Sequence, residues 1–136
     1  MITVVTGPPC GGKSTHIRER AKGDDIVIDM DRLALALSVE GVLPFEYGLR
    51  VREVARAARY GAVKKALAVA QGERYLGVWI IDTDPSNDMR ALYRANGAHF
   101  VEVNPGRDVC LARLESRPVE NHLIARKAID EYFSKR

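Results

Sequence analysis

The chain is poor in cysteine, and it has no long apolar run. Its two cysteines, Cys10 and Cys110, lie far apart and show no metal-ligand spacing. Neither a disulfide framework nor a zinc site is expected from them. They read as a small loop residue and a buried helix residue. No apolar segment approaches the roughly 20 residues that cross a membrane. The first residues lack the basic start and the apolar stretch of about 7–15 residues that mark a secretion signal. The expectation is a cytoplasmic protein without membrane attachment. His16, His99 and His122 show no ligand spacing either and read as structural or surface residues. The net charge of +3 is small. It admits an anionic ligand without marking a nucleic-acid binder.

What is present is one domain's worth of alternating elements. The 136 residues are 46% hydrophobic, enough for a single core. Repeats, low-complexity tracts and linkers are absent, so residues 1–136 are expected to form one domain. A β-branched run at residues 2–6 predicts a strand that ends at Gly7. A helix is predicted over 14–22, stopped by Gly23, then a strand over 25–29 and a short helix over 31–37. Residues 38–48, with Gly41, Pro44 and Gly48, read as irregular, and 49–71 as a long helix closed by Gly72. A continuously apolar strand follows at 77–81, in keeping with burial on both faces of a parallel sheet. A helix capped by Ser86 runs to Asn96, a strand covers 99–103, a helix 108–115, and after a break at Pro118 a last helix covers 120–133. The expected fold is α/β, a short parallel sheet of about four strands flanked by helices. Ligands of such sheets sit beyond the carboxyl ends of the strands. Gly7, Asp29, Asp82 and Asn104 all fall there.

The stretch Gly7, Pro8, Pro9, Cys10, Gly11, Gly12, Lys13, Ser14 fits the pattern G-x-x-x-x-G-K-[ST]. A chance match in so short a chain is on the order of one per cent. It also sits between a predicted strand and a predicted helix, the context this phosphate-binding loop requires. Glycines let backbone N–H groups approach phosphate oxygens with no Cβ in the way. The helix that follows adds its free N–H groups and positive dipole end. Lys13 is expected on the β- and γ-phosphates, Ser14 on Mg²⁺, and Thr15 on the α-phosphate. ATP with Mg²⁺ is the expected ligand.

Carboxylates follow two of the strands. Asp82 is suited to hold Mg²⁺ or its water, or else is a cap or turn residue. Asp31 is suited to accept a proton from an attacking hydroxyl, or else is a helix N-terminal acid favoured by the dipole. Asp29 fits either description, and Asp84 beside Pro85 fits a turn.

Arginines form two groups. Arg52, Arg56 and Arg59 share one helix face, and residues 49–65 hold six basic residues against the single Glu53. That face is either a track for phosphates or the solvated side of an amphipathic helix. Arg113 and Arg117 flank the predicted break, where they would stabilise charge in phosphoryl transfer or serve as cations favoured at a helix end.

The phosphate loop, Val27-Ile-Asp-Met-Asp-Arg32, Trp79-Ile-Ile-Asp-Thr-Asp84 and the segment from Arg113 to Arg117 together resemble the small P-loop kinases. The nearest likeness is to the kinase domain of phage-type 5′-polynucleotide kinases. It spans nearly the whole chain, although only the phosphate loop is highly specific. The resemblance implies Asp31 as general base, Asp82-Thr83-Asp84 as the acidic element after the third strand, and Arg117 with Arg113 as lid arginines. It also matches Arg90 to an arginine on the following helix. The family's acceptor-holding arginine aligns best with Ala34, with Arg32 near it.

The expected activity is transfer of the γ-phosphate of ATP to a hydroxyl, a polynucleotide 5′-hydroxyl first among acceptors. In that reading Asp31, Lys13 and Arg117 are catalytic, and Asp31, Arg32, Arg52, Arg56 and Arg59 contact the acceptor. A nucleoside, nucleotide or small metabolite is the alternative acceptor. A nucleotide-binding regulatory or assembly subunit with weak ATPase activity is the alternative class.

Overall fold

A computed structural model describes residues 1–117 and 122–136. The expected break at Pro118 and the expected start of the last helix at Glu120 lie outside the described residues. The elements run β1 (Ile2–Thr6), α1 (Lys13–Arg18), β2 (Ile26–Ile28), α2 (Met30–Ala36), α3 (Leu49–Gly72), β3 (Val78–Ile81), α4 (Asn87–Ala95), β4 (His99–Glu102), α5 (Arg107–Glu115) and α6 (His122–Ser134). The four strands form one parallel sheet in the order β2-β3-β1-β4. The architecture is therefore α/β with a four-stranded parallel sheet and flanking helices, an arrangement compatible with a P-loop fold.

Strand periodicity sorts the core. Ile2 and Val4 on β1 pair with Val78 and Ile80 on β3, and Ile28 on β2 pairs with Ile80. These residues share one face because successive strand side chains point to opposite sides. Helix α3 meets that face with Val63, Ala66 and Leu67, whose i, i+3, i+4 spacing makes one stripe. Tyr93 of α4 completes the cluster and is wholly buried. A second cluster, Cys110, Leu114 and Ile129, joins α5 to α6. A small third one, Ala34, Tyr47 and Ala55, joins α2, the irregular stretch and α3.

The chain leaves β1 for β2 and β3 on one side, and later reaches β4 on the other. This reversal opens a crevice at the carboxyl end of β1, where parallel sheets bind ligands. The loop after β1 occupies that end.

Some boundaries differ from those the sequence suggests, and Asp25 lies near two of them. Its carboxylate accepts from the Lys22 N–H at 3.0 Å, which holds Lys22 in the turn before β2, and α1 ends earlier, at Arg18. It also accepts from the Gly77 N–H and from Trp79 Nε1, both at 3.0 Å. Asp25 is thus a fastener between the turn before β2 and the start of β3, and β2 shortens to three residues. A Cβ at Gly77 would lie 2.6 Å from this carboxyl group, so only glycine lets the two approach. Hydrogen bonds from Lys22 and Trp79 hold the Asp25 carboxyl below the usual carboxylate range.

Asp25→Ala should destabilise the chain by about 1–3 kcal/mol at neutral pH, since it leaves the part-buried Gly77 N–H and Trp79 Nε1–H without their acceptor. A depressed carboxylate contributes stability above the unfolded pKa and loses it as pH falls through the folded one. The penalty should therefore shrink in strongly acidic solution. Urea unfolding followed by circular dichroism at pH 7 and in strongly acidic solution, below the depressed Asp25 titration, checks both halves; a penalty equal at the two would remove the charged fastener.

Candidate functional site

The loop between β1 and α1 is shaped by close backbone contacts. A Cβ at Gly7 would fall 2.1 Å from the Val103 carbonyl oxygen, and one at Gly11 would fall 2.9 Å from the same atom. The Gly7 N–H donates to the Thr83 carbonyl at 3.2 Å, and the Gly11 N–H to the Pro8 carbonyl at 3.0 Å. Gly12 caps α1 at φ 96°, and Cys10 has φ 62°. Left-handed φ values suit glycine and are uncommon elsewhere. Cys10 is thus held in place by its neighbours.

Lys13 is 7% exposed. Its ammonium donates to the carbonyls of Gly7 at 2.9 Å and Pro8 at 2.7 Å. Burial lowers its pKa to about 8, opposed by Cys10, Cys110, Asp31 and Asp29. Gly7 and Pro8 are buried and act through these carbonyls, while Pro9, Cys10, Gly11, Gly12, Lys13, Ser14 and Thr15 line the cleft above.

That cleft measures about 2150 Å³. Ligand pockets for one small molecule are typically about 300–1,000 Å³, so there is room for two reactants. Its walls carry Asp31, Asp82, Arg52, Arg56, Arg59, Arg113 and Arg117 together with the loop. Residues remote in sequence therefore meet at the strand ends. Arg32 is exposed and does not line the cleft.

Asp29 is the N-cap of α2, its Oδ1 accepting from the Asp31 N–H at 3.0 Å. Asp31 stands in the first turn, and its Oδ1 accepts a hydrogen bond from the Tyr47 hydroxyl. Burial raises the Asp31 pKa; the Tyr47 bond, Arg117 and Arg52 oppose this, while Asp29 adds to it.

Asp82 Oδ2 accepts from the Tyr93 hydroxyl at 2.8 Å and lies 3.3 Å from Arg59. Arg59 also donates to the Ile81 carbonyl at 2.9 Å and meets the Tyr93 hydroxyl at 3.4 Å. Although it lines the cleft, its guanidinium is committed to the end of β3. Burial, reinforced by Asp82, pushes the Tyr93 pKa to about 12. Asp84 also lines the cleft and pairs with Arg90 at 3.6 Å and Arg136 at 3.4 Å.

Arg52 lies over the Tyr47 ring at 5.6 Å, and its Nε is buried with no hydrogen-bond partner among the described residues. Neither Arg52 nor Arg56 forms an ion pair among those residues. Across the cleft, Arg113 donates to the Cys10 carbonyl at 3.1 Å, tying α5 to the loop. The Arg117 guanidinium stacks on Phe45 at 4.4 Å. Its carbonyl accepts from His122 Nε2 at 3.0 Å, which fixes the proton on that nitrogen.

Ser14 and Asp82 both line the cleft. Among the described residues no three His, Cys, Asp or Glu side chains converge as a ligand set. The donors fit Mg²⁺ in the usual way, one carboxylate and one hydroxyl alongside phosphate oxygens and water.

Sequence reasoning missed the roles of Tyr47 and Tyr93, each of which holds a cleft carboxylate. No motif marks either tyrosine. It also left Ala34 unexplained: this residue is fully buried against Tyr47 and Ala55, so the space a longer side chain would need is filled.

Comparison with protein-family models gives no match, and comparison with curated proteins gives none either.

The depressed Lys13 pKa has a measurable consequence. The unfolded chain holds this proton more tightly, so stability should rise with pH from about 8 toward the ordinary lysine value. Relative to Lys13→Met, the ligand-free wild type should gain on the order of 2 kcal/mol between pH 7 and pH 10. Urea titrations of both chains test it; a difference independent of pH would mean a solvated ammonium.

Proposed function

We propose that the chain is an ATP-dependent kinase that transfers the γ-phosphate to a hydroxyl, with a polynucleotide 5′-hydroxyl as its first acceptor. One observation carries this reading: the phosphate loop with Lys13 and the carboxylate of Asp31 open into the same cleft, between arginines on both walls. The resemblance to small P-loop kinases agrees with it.

Each residue then has a task set by its chemistry. Lys13 gives up its two backbone carbonyls to reach the β- and γ-phosphates, where anions offset its desolvation. Ser14 and Asp82 would hold Mg²⁺, which neutralises charge between the β- and γ-phosphates. The acceptor oxygen bonds to the γ-phosphorus as the bond to the β-phosphate oxygen breaks, and ADP departs. Asp31 takes the acceptor's proton; its raised pKa favours that step. Arg117 leaves the Phe45 ring to meet the transferring phosphoryl group, and Arg113 holds the loop. On the opposite wall Arg52 and Arg56 form no ion pair among the described residues, and they would take the acceptor's phosphates. Arg59 contributes by fixing Asp82.

Incubation with γ-labelled ATP and a panel of DNA, RNA, nucleosides and nucleotides tests the activity. Asp31→Asn should bind MgATP as wild type does and lose at least about a hundredfold in single-turnover transfer. Lys13→Ala should weaken MgATP binding roughly tenfold or more. Unchanged ATP affinity in Lys13→Ala, or full transfer by Asp31→Asn, would refute the assignment.

For the acceptor, oligonucleotide binding should fall with salt at a slope near −0.7 per phosphate contacted on a single strand. Arg56→Gln should flatten that slope. A flat response in wild type removes nucleic acid and leaves a small hydroxyl compound.

A further inference from the structure

Tyr47 closes the irregular stretch between α2 and α3, yet it is only 8% exposed. Its ring packs with Ala34 of α2 and Ala55 of α3, both fully buried. Two alanines leave the room that an aromatic ring needs at this junction. Arg52 covers the ring at 5.6 Å. A loop residue thus gains the fixity of a helix residue, and its one polar side-chain atom is delivered to Oδ1 of Asp31.

We propose that Tyr47 is a positioning residue for phosphoryl transfer: its hydroxyl occupies Oδ1 of Asp31, so that Oδ2 is the oxygen that receives the acceptor's proton. The proposal rests on the kinase reading above. An ionised carboxylate only accepts hydrogen bonds, and a phenol facing it is the donor. Burial, and then the bond to Asp31, push the Tyr47 titration upward, so the donor persists throughout the neutral range. The Asp29 side chain meanwhile holds the Asp31 N–H at 3.0 Å. Backbone and carboxylate are thereby both fixed, and one carboxylate oxygen remains for the reaction. A base held this way needs no reorientation when the acceptor arrives.

The charged groups around Asp31 give the sign of the effect. Tyr47 approaches from the irregular stretch, Asp29 from the end of β2, Arg52 from α3, Arg117 from beyond α5, and Lys13 from α1. Burial raises the Asp31 pKa most; the Tyr47 bond is the largest opposing influence. A hydrogen bond to the charged form favours that form. Loss of the hydroxyl should move the Asp31 titration up, and with it the acidic limb of the rate profile.

Tyr47→Phe removes the hydroxyl and keeps the ring. In the ligand-free chain labelled with ¹³C-aspartate, with Asp31→Asn for assignment, the Asp31 carboxyl midpoint should rise on the order of one pH unit. With MgATP and a single-stranded 5′-hydroxyl oligonucleotide, kcat should fall about tenfold or more. KM for ATP should stay at the wild-type value, and the acidic limb of kcat should move up with the carboxyl midpoint. If wild type transfers phosphate and Tyr47→Phe matches it in kcat and in the Asp31 midpoint, Tyr47 only fills space and the proposal is overturned. If wild type transfers to no member of the acceptor panel, the kinase reading falls first and this role with it. Should Tyr47→Phe fail to fold, the intact chain decides. A slowly exchanging Tyr47 hydroxyl proton that disappears in Asp31→Ala supports the pairing, and its absence in wild type overturns it.

Discussion

The Val103 carbonyl oxygen lies where side chains at positions 7 and 11 would have to be. It marks the end of β4 beside β1, so the space left for the loop is set by the spacing of two parallel strands, about 4.8 Å. Only a chain without Cβ atoms at both positions passes through this gap. Once through, the loop has little choice of path: Gly7 is tied to Thr83, Gly11 turns back on Pro8, and Gly12 enters α1 in a left-handed conformation. The Lys13 side chain then folds over the carbonyls that the path exposes. Loop shape and lysine placement follow from one steric condition that the sheet order imposes.

The two cleft carboxylates are held differently. Asp82 is bound by a tyrosine and an arginine and stays firmly in place at the end of the central strand β3. Among the described residues a tyrosine alone donates a hydrogen bond to the Asp31 side chain, which feels arginines at longer range. Burial raises its pKa. Paired with a cation, a carboxylate serves as a fixed anchor; buried beside a neutral donor, it is better suited to exchange a proton. The difference comes from what the neighbouring elements supply: β3 and α3 bring Arg59 to Asp82, while α2 and α3 bring a ring to Asp31 through two alanines.

Hydrophobic periodicity and glycine placement were enough to read all four strands, their parallel sense and the helix order, because each depends on neighbours in sequence. Ser86 as a cap is equally local, and its Oγ accepts from the Met89 N–H. The bend of the loop after β1 was legible because its close backbone contacts demand glycine at fixed spacing. Contacts across the fold were not. Asp25 reads as a strand end until Trp79, 54 residues on, is placed beside it. Arg59 reads as one of three equivalent helix-face arginines until β3 ends beneath it. Tyr47 carries no signal, since its role depends on the small size of Ala34 and Ala55 and on the direction of α2. Arg32, adjacent to a site residue in sequence, is turned outward by helical geometry.

Cys10 is a small residue in the bend after β1, and it is only partly buried. It lines the cleft at the centre of the loop after β1, while Cys110 is buried between α5 and α6. Burial raises both thiol pKa values, with cations opposing the rise at Cys10. Alkylating reagents therefore meet one accessible sulfur, and they meet it where the proposed nucleotide would lie. The chain carries its own footprinting probe: occupancy of the loop can be read as protection of a single thiol, with the shielded second one as the internal reference.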